Sequence, residues 1–263
     1  MFTDFTDTLP PPPPARPPGT AEDWTIPQRW ERFGAEEHRV WDVLFARQRR
    51  KLAGRAVAAF ERGLDTLRLS RSGIPDFDDL NERLFARSGW TVAAVPGLLP
   101  DEIFFGHLAR RRFPAGNFIR SASSLDYLDE PDVFHDVFGH VPLLAEPWFA
   151  DFMQQLGEAG LQAVAKGRAA TFSRLYWFTV EFGLAREQGA LKIYGAGLAS
   201  SFGEAAYALD SPRPERLPFD LGRVLRTPYR SDTFQPLYFV VDGMERLRSA
   251  IDFARLEERL AAL

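Results

Sequence analysis

The 263 residues include no cysteine. Disulfides, thiolate metal sites, iron–sulfur clusters and a cysteine nucleophile are therefore excluded. Any transition metal must be held by histidine nitrogens and carboxylate oxygens. Histidine is scarce as well: the four are His38, His107, His135 and His140. Lysine is nearly missing, with only Lys51, Lys166 and Lys192 among the 32 basic residues, a bias that reads as genome composition. Long apolar runs are lacking too. The stretch over 90–99 is about ten residues and holds Pro96, against the roughly 20 a spanning helix needs. Met1-Phe2-Thr3-Asp4-Phe5 has neither the basic region nor the apolar core of a secretion signal. A cytoplasmic protein without a membrane partner is expected. The net charge of −4 argues against nucleic acid, which needs a basic face. The runs Arg47-Gln48-Arg49-Arg50-Lys51 and Arg110-Arg111-Arg112 are flanked by apolar residues at helical spacing and read as solvated helix faces.

What is present fits one globular unit: 45% hydrophobic and 26% charged residues, on a chain near the upper limit for a single core. Aromatics reach 13%, with 23 Phe and 6 Trp, enough to fill a core and line an aromatic pocket. Residues 9–18 read Leu-Pro-Pro-Pro-Pro-Pro-Ala-Arg-Pro-Pro, a polyproline II segment that cannot join a sheet or a helix interior. The expected organisation is a disordered Pro-rich tail over 1–20 and one compact domain over 21–263.

Apolar spacing predicts two helices across 27–69, a helix opened by Asp76 with acids in its first turn, and a short one from Pro100 to Leu108. Residues 113–120 should be extended but broken at Pro114-Ala115-Gly116. Pro131 should start a helix carrying His135 and His140. Further helices are expected over 147–166, 170–187 and 203–209, with strands over 191–198 and 237–241. Residues 243–263 read as one amphipathic helix. The predicted fold is mostly α with a few short β-strands.

His135 and His140 stand in Glu130-Pro131-Asp132-Val133-Phe134-His135-Asp136-Val137-Phe138-Gly139-His140-Val141-Pro142. A lone histidine on an apolar face is usually a hydrogen-bonded core residue, but two this close, with acids beside them, suggest a metal. Their spacing is awkward, because five residues at about 100° each leave the rings about 140° apart on an ideal helix. The helix must loosen or end near Gly139 for both to reach one ion, and Pro142 favours that. The His-Glu-x-x-His zinc pattern, with its i, i+4 histidines, does not occur. A third ligand must be an acid, and Glu181 lies in the apolar run Tyr176-Trp177-Phe178-Thr179-Val180-Glu181-Phe182-Gly183. An ionised carboxylate there needs a cation or strong donors. A helical salt bridge to Arg174 or Arg186 would serve equally, and spacing does not choose between them. Two histidines and one carboxylate with open positions form the facial triad of non-haem Fe(II) oxygenases, and the same ligands suit a catalytic zinc.

These segments resemble the pterin-dependent aromatic amino acid hydroxylases, in particular their bacterial phenylalanine 4-monooxygenase branch. The likeness spans about 26–253 and is strongest over 127–144, 176–183, 194–204 and 234–240. It implies the single catalytic domain of that family, with Fe(II) and tetrahydropterin as cofactors and O₂ and L-phenylalanine as substrates. By the resemblance His135, His140 and Glu181 are the iron ligands, and Asp132 fixes a ligand ring from outside the ligand set. The pterin would stack on Phe104 along Gly97-Leu98-Leu99, with Asp136 and Tyr176 near it and the iron. Arg120 would clamp the substrate carboxylate through a bidentate fork. Trp177 and Phe182 would wall the ring, and Ser200 would hold the amino acid head. Periodicity alone does not single out Phe104 among the phenylalanines. Gly195-Ala196-Gly197 is no dinucleotide loop, since Gly203 follows at the wrong distance.

The resemblance also bears on substrate. Trp177 stands where tryptophan hydroxylases usually carry Phe, and Ser231 where tyrosine hydroxylases carry Asp. Leu128-Asp129 departs from the Thr-Pro of animal enzymes and matches bacterial phenylalanine hydroxylases. Para-hydroxylation of phenylalanine is the first reading. Meta-hydroxylation, a zinc hydrolase and a non-catalytic binding protein are the alternatives. The residues before Pro27 are too few and too Pro-rich for a folded regulatory domain, and 246–263 holds no sustained heptads, so a monomer is expected. Its rate should rise hyperbolically with phenylalanine concentration; a sigmoidal curve would contradict this reading.

Overall fold

A computed structural model describes residues 15–126 and 130–263. Most of the proline run, and Tyr127, Leu128 and Asp129 of the expected motif, lie outside those residues. Thr20 N–H donates to Pro17 O, Ala21 N–H donates to Thr25 O, and Ile26 N–H then donates to Ala94 O.

The expected helices across 27–69 are α1 (Ala35–Leu52) and α2 (Ala58–Thr66), preceded by one 3₁₀ turn at Trp30–Arg32. Next comes α3 (Phe77–Ser88), which starts where Asp76 caps Asp78 N–H and stops at Gly89 with φ 73°. The apolar stretch after Trp90 is β1 (Thr91–Val95), followed by α4 (Asp101–Ala109) and β2 (Arg112–Gly116). β2 runs straight through Pro114, contrary to the expected break. Thr91 N–H donates to Arg111 O and Asn117 N–H donates to Val95 O. That alternation turns the nitrogen of Pro114 away from β1, so its missing donor costs the parallel pair nothing.

The histidine segment is a π-helix over Phe134–His140, continued by α5 (Val141–Leu144) and α6 (Pro147–Ala165). Then α7 (Ala169–Tyr176) passes into a second π turn, Trp177–Glu181, and ends. The helix expected over 170–187 is therefore too long, because β3 (Leu184–Glu187) and β4 (Ala190–Ile193) form a hairpin. Its turn, Gln188 and Gly189, has φ 52° and 79°, the type I′ signature of a two-residue loop. The strand expected over 191–198 stops at Ile193, and α8 (Ala196–Ser200) and α9 (Phe202–Asp210) follow. Periodicity did not reveal β5 (Glu215–Pro218) or α10 (Leu221–Arg226), while β6 (Leu237–Val241) has its expected bounds.

The expected C-terminal helix is broken into α11 (Leu247–Ile251) and α12 (Phe253–Ala261). Leu247, Ile251, Leu256 and Leu260 are buried, at steps of four, five and four. Asp252, with φ 48°, absorbs the extra residue that one straight helix could not place on the same face.

The four-stranded sheet has the order β4-β3-β6-β5, with β6 parallel to both neighbours. Helices carry most of one continuous core. Among the described residues no helix is long and apolar enough to cross a membrane.

Gly183 is where the Glu181 helix gives way to the sheet. A Cβ there would lie 2.1 Å from Tyr194 Cζ and 2.3 Å from Thr179 O. Gly183→Ala should lower stability by about 3 kcal/mol through overpacking against backbone, measured by urea unfolding.

Candidate metal centre

The problem posed by a five-residue spacing is solved by the π-helix over Phe134–His140. Its i→i+5 hydrogen bonding sets residues five apart over one another, so His135 and His140 share a face. Asp132 caps the turn: its Oδ1 accepts His135 N–H at 2.9 Å. Glu181 ends the second π segment, where Phe182 N–H reaches back to Trp177 O.

Packing brings these segments together. His135 Nε2 and His140 Nε2 are 3.4 Å apart, and Glu181 carboxylate oxygens lie 3.6 Å and 3.2 Å from them. Among the described residues, this is the one group of three or more histidine and acidic side chains whose ligand atoms could share an ion. The open pairing alternatives for Glu181 do not arise: Arg174 donates to Leu225 O, and no described arginine pairs with Glu181. The other histidines stand apart. His38 Nδ1 accepts Ile74 N–H, and His107 Nε2 meets Asp23 O at 2.7 Å.

Ser200 decides the tautomer of His135. Its hydroxyl donates to Ala196 O at 2.9 Å, so it must accept from His135 Nδ1–H at 2.8 Å. His135 Nε2 then carries a lone pair aimed at the centre. Burial lowers the pKa of His135 to about 4, keeping the ring neutral. Burial pushes the Glu181 carboxyl up, but the facing His140 and His135 hold it below its usual range. Metal ligation needs both Nε2 atoms deprotonated, and two lone pairs and a carboxylate then converge at these separations, an arrangement that a cation between them stabilises. The donor set therefore fits a divalent metal. Donors about 2.1 Å from an ion and separated by about 3.0–3.4 Å suit cis octahedral or tetrahedral ligation alike.

The remaining expected residues fall into two groups by their contacts. In the first, Phe113 stacks on His140 at 4.6 Å, and Phe104 meets Tyr176 edge-on at 5.3 Å. Tyr176 lies nearly parallel to His140 at 6.4 Å, and its buried hydroxyl has no hydrogen-bond partner among the described residues. Asp136 Oδ2 accepts Gly116 N–H at 2.7 Å, while burial pushes its carboxyl up to about 7. The loop at Gly97 is tied down by Glu130, whose Oε1 accepts Leu98 N–H at 2.8 Å. These groups offer rings, a buried hydroxyl and a carboxyl that titrates near neutrality to a flat heterocycle.

In the second group, Trp177 and Phe182 rings lie 4.7 Å apart. Arg120 forms a bidentate pair with Asp132, Nε to Oδ2 at 2.8 Å and Nη2 to Oδ1 at 2.9 Å. Asp132 is thus engaged with Arg120 and with the His135 backbone, and the ring contact expected of it belongs to Ser200. Burial raises the Asp132 carboxyl, and Arg120 more than reverses this. Tyr229, Gln235 and Glu204 were not singled out from sequence. Gln235 sits between Phe234 and Pro236 in an apolar run, which is the signal a buried polar residue leaves.

The model of the biopterin-dependent aromatic amino acid hydroxylases matches residues 25–259. The chain belongs to that family. The hydroxylase is 57% identical over 249 residues to a phenylalanine-4-hydroxylase of Caulobacter vibrioides, covering 94% of this chain and 85% of that one. A Chromobacterium violaceum phenylalanine hydroxylase structure with iron(III) and 7,8-dihydrobiopterin superposes with TM-score 0.87 at 50% identity, over 92% and 88% of the two chains. An iron- and phenylalanine-bound structure of the same enzyme gives 0.86 at 48%, over the same shares.

Replacing Ser200 by Ala should leave the fold intact and weaken Fe(II) affinity about 10–100-fold, because His135 loses the partner that sets its tautomer. Anaerobic metal titration measures this.

Proposed function

We propose that this hydroxylase converts L-phenylalanine to L-tyrosine with O₂ and a tetrahydropterin, at one Fe(II) held by His135, His140 and Glu181. The observation carrying the reading is the convergence of those three ligand atoms, all within 4.8 Å of one another, in a chain of this family. The relatives named phenylalanine-4-hydroxylase support the substrate.

Iron and tetrahydropterin, when bound, supply the reduction of O₂ that hydroxylation requires. The protein's own work is positional. His135, His140 and Glu181 would hold the iron through one atom each, which leaves it short of a full ligand set and able to take part in O₂ chemistry. Ser200 and Asp132 hold His135, one by ring and one by backbone. Phe104, Tyr176, Asp136 and the Gly97-Leu98-Leu99 loop are assigned to the pterin, whose flat ring suits the aromatic faces and whose donors suit the carboxyl and hydroxyl. Arg120 is assigned to the substrate carboxylate: Asp132 takes its Nε and one Nη2 hydrogen and fixes the guanidinium plane, while Nη1, 3.4 Å from Leu125 O, keeps donor capacity. Trp177 and Phe182 are assigned to the aromatic ring. Ser200 is assigned to His135 rather than to the amino acid head, since its hydroxyl contacts, with His135, Ala196 and Gly197, are all internal. The reading needs no protein nucleophile.

Turnover of L-phenylalanine by the Fe(II)-loaded protein with tetrahydropterin should give para-tyrosine, identified by chromatography. Meta-tyrosine or no hydroxylated product would defeat the substrate assignment. Glu181→Gln keeps the shape but removes the charge, and should cut both activity and Fe(II) affinity at least ~100-fold. Activity with Zn(II) and none with Fe(II) would overturn the metal.

A further inference from the structure

The indole of Trp177 is gripped on three sides. Tyr229 stacks on it at 4.2 Å with planes 16° apart, and Phe182 lies at 4.7 Å and 34°. Stacking fixes the tilt of the ring but is only weakly directional within its plane. What removes that freedom is a single directional bond, from Trp177 Nε1–H to Gln235 Oε1 at 3.1 Å.

Gln235 is unusually well fixed for an amide. It is 1% exposed. Its Nε2 donates to Arg230 O at 2.7 Å and to Thr233 O at 3.1 Å. Both amide hydrogens are spoken for by carbonyls, so the amide cannot flip, and its oxygen must face the indole. The backbone is anchored too: Gln235 N–H donates to Glu204 Oε1 at 2.8 Å, and Tyr238 hydroxyl donates to the same oxygen at 2.8 Å. Glu204 is itself buried. The grip therefore runs from α9 and β6 through Gln235 to the ring four residues before the metal ligand Glu181.

Resting on the assignment of Trp177 to the wall of the aromatic slot, we propose that Gln235 is a positioning residue for substrate selection. By fixing the in-plane orientation of the Trp177 indole, it sets the width of the slot that admits the phenylalanine ring and resists the larger indole of tryptophan. The Trp177 side chain has one N–H donor and Gln235 offers it one acceptor. Removing the acceptor leaves the indole N–H without its partner and the ring held by stacking alone.

The test uses Gln235→Leu, Trp177→Phe and the double variant, each loaded with Fe(II). For Gln235→Leu, KM for L-phenylalanine should rise about tenfold, with kcat changed less and the preference over L-tryptophan reduced. KM for the tetrahydropterin and affinity for Fe(II) should stay unchanged, a split that general loosening would not give. Calorimetry of L-phenylalanine binding to the Co(II)-loaded protein should show the same tenfold loss without turnover. The double variant removes donor and acceptor together, so it should bind phenylalanine as Trp177→Phe does. This comparison remains decisive if Gln235→Leu alone does not fold. Independent, multiplying effects of the two substitutions would overturn the proposal, as would an unchanged KM in Gln235→Leu. If Trp177→Phe alone leaves phenylalanine binding untouched, the wall assignment fails instead.

Discussion

Two imidazole nitrogens and a carboxylate face one another across less than 4 Å of protein interior. Such groups repel unless a proton or a cation lies between them, and much of the surrounding architecture exists to impose the juxtaposition. The two π segments are the local devices. One overlays His135 on His140, and the other ends the α7 helix at Glu181. A π turn is a poorer arrangement than an α turn, so each is a local cost that the burial of neighbouring Phe134, Phe138, Phe178 and Val180 offsets. Metal binding would convert the remaining repulsion into ligation.

Rigidity around the centre comes from polar groups that are each used twice. Ser200 donates to Ala196 O and accepts from His135, so a single hydroxyl ties α8 to the imidazole. Asp132 accepts from the His135 backbone and from the Arg120 fork, linking the first ligand to the residue assigned to the substrate carboxylate. Glu204 receives Gln235 N–H and the Tyr238 hydroxyl. Such pairs are buried and satisfied, which is the condition under which polar groups specify geometry instead of destabilising the core. The Arg120 fork and the His135 turn are therefore joined through the same carboxylate.

The donor types were legible in the sequence, while the choice of Glu181 as third ligand came from the family resemblance and not from spacing. With no cysteine and four histidines, two of them five residues apart, the donor types were constrained, and the apolar setting of Glu181 marked it as a carboxylate in need of a partner. The order of helices and the position of β6 were legible from periodicity. Where periodicity failed, a local pattern met a non-local constraint. The strand through Pro114 survives because its nitrogen faces away from β1. The helix expected to reach 187 stops at Glu181 because Gly183 and the hairpin pack against Tyr194. The C-terminal helix breaks because its buried positions fall out of phase at Asp252.

Residue types, their order and their burial tendencies are properties of the chain, and they determined that this protein could only build a nitrogen–oxygen metal site in a helical domain. Which face each histidine presents, which tautomer His135 adopts, and which partner occupies Asp132 were decided by packing. The contacts responsible join residues far apart in the chain: His135 to Ser200 across 65 positions, and Trp177 to Gln235 across 58. A hydrogen bond of that kind has no periodicity to betray it, because its geometry exists only once the helices and the sheet have closed around it.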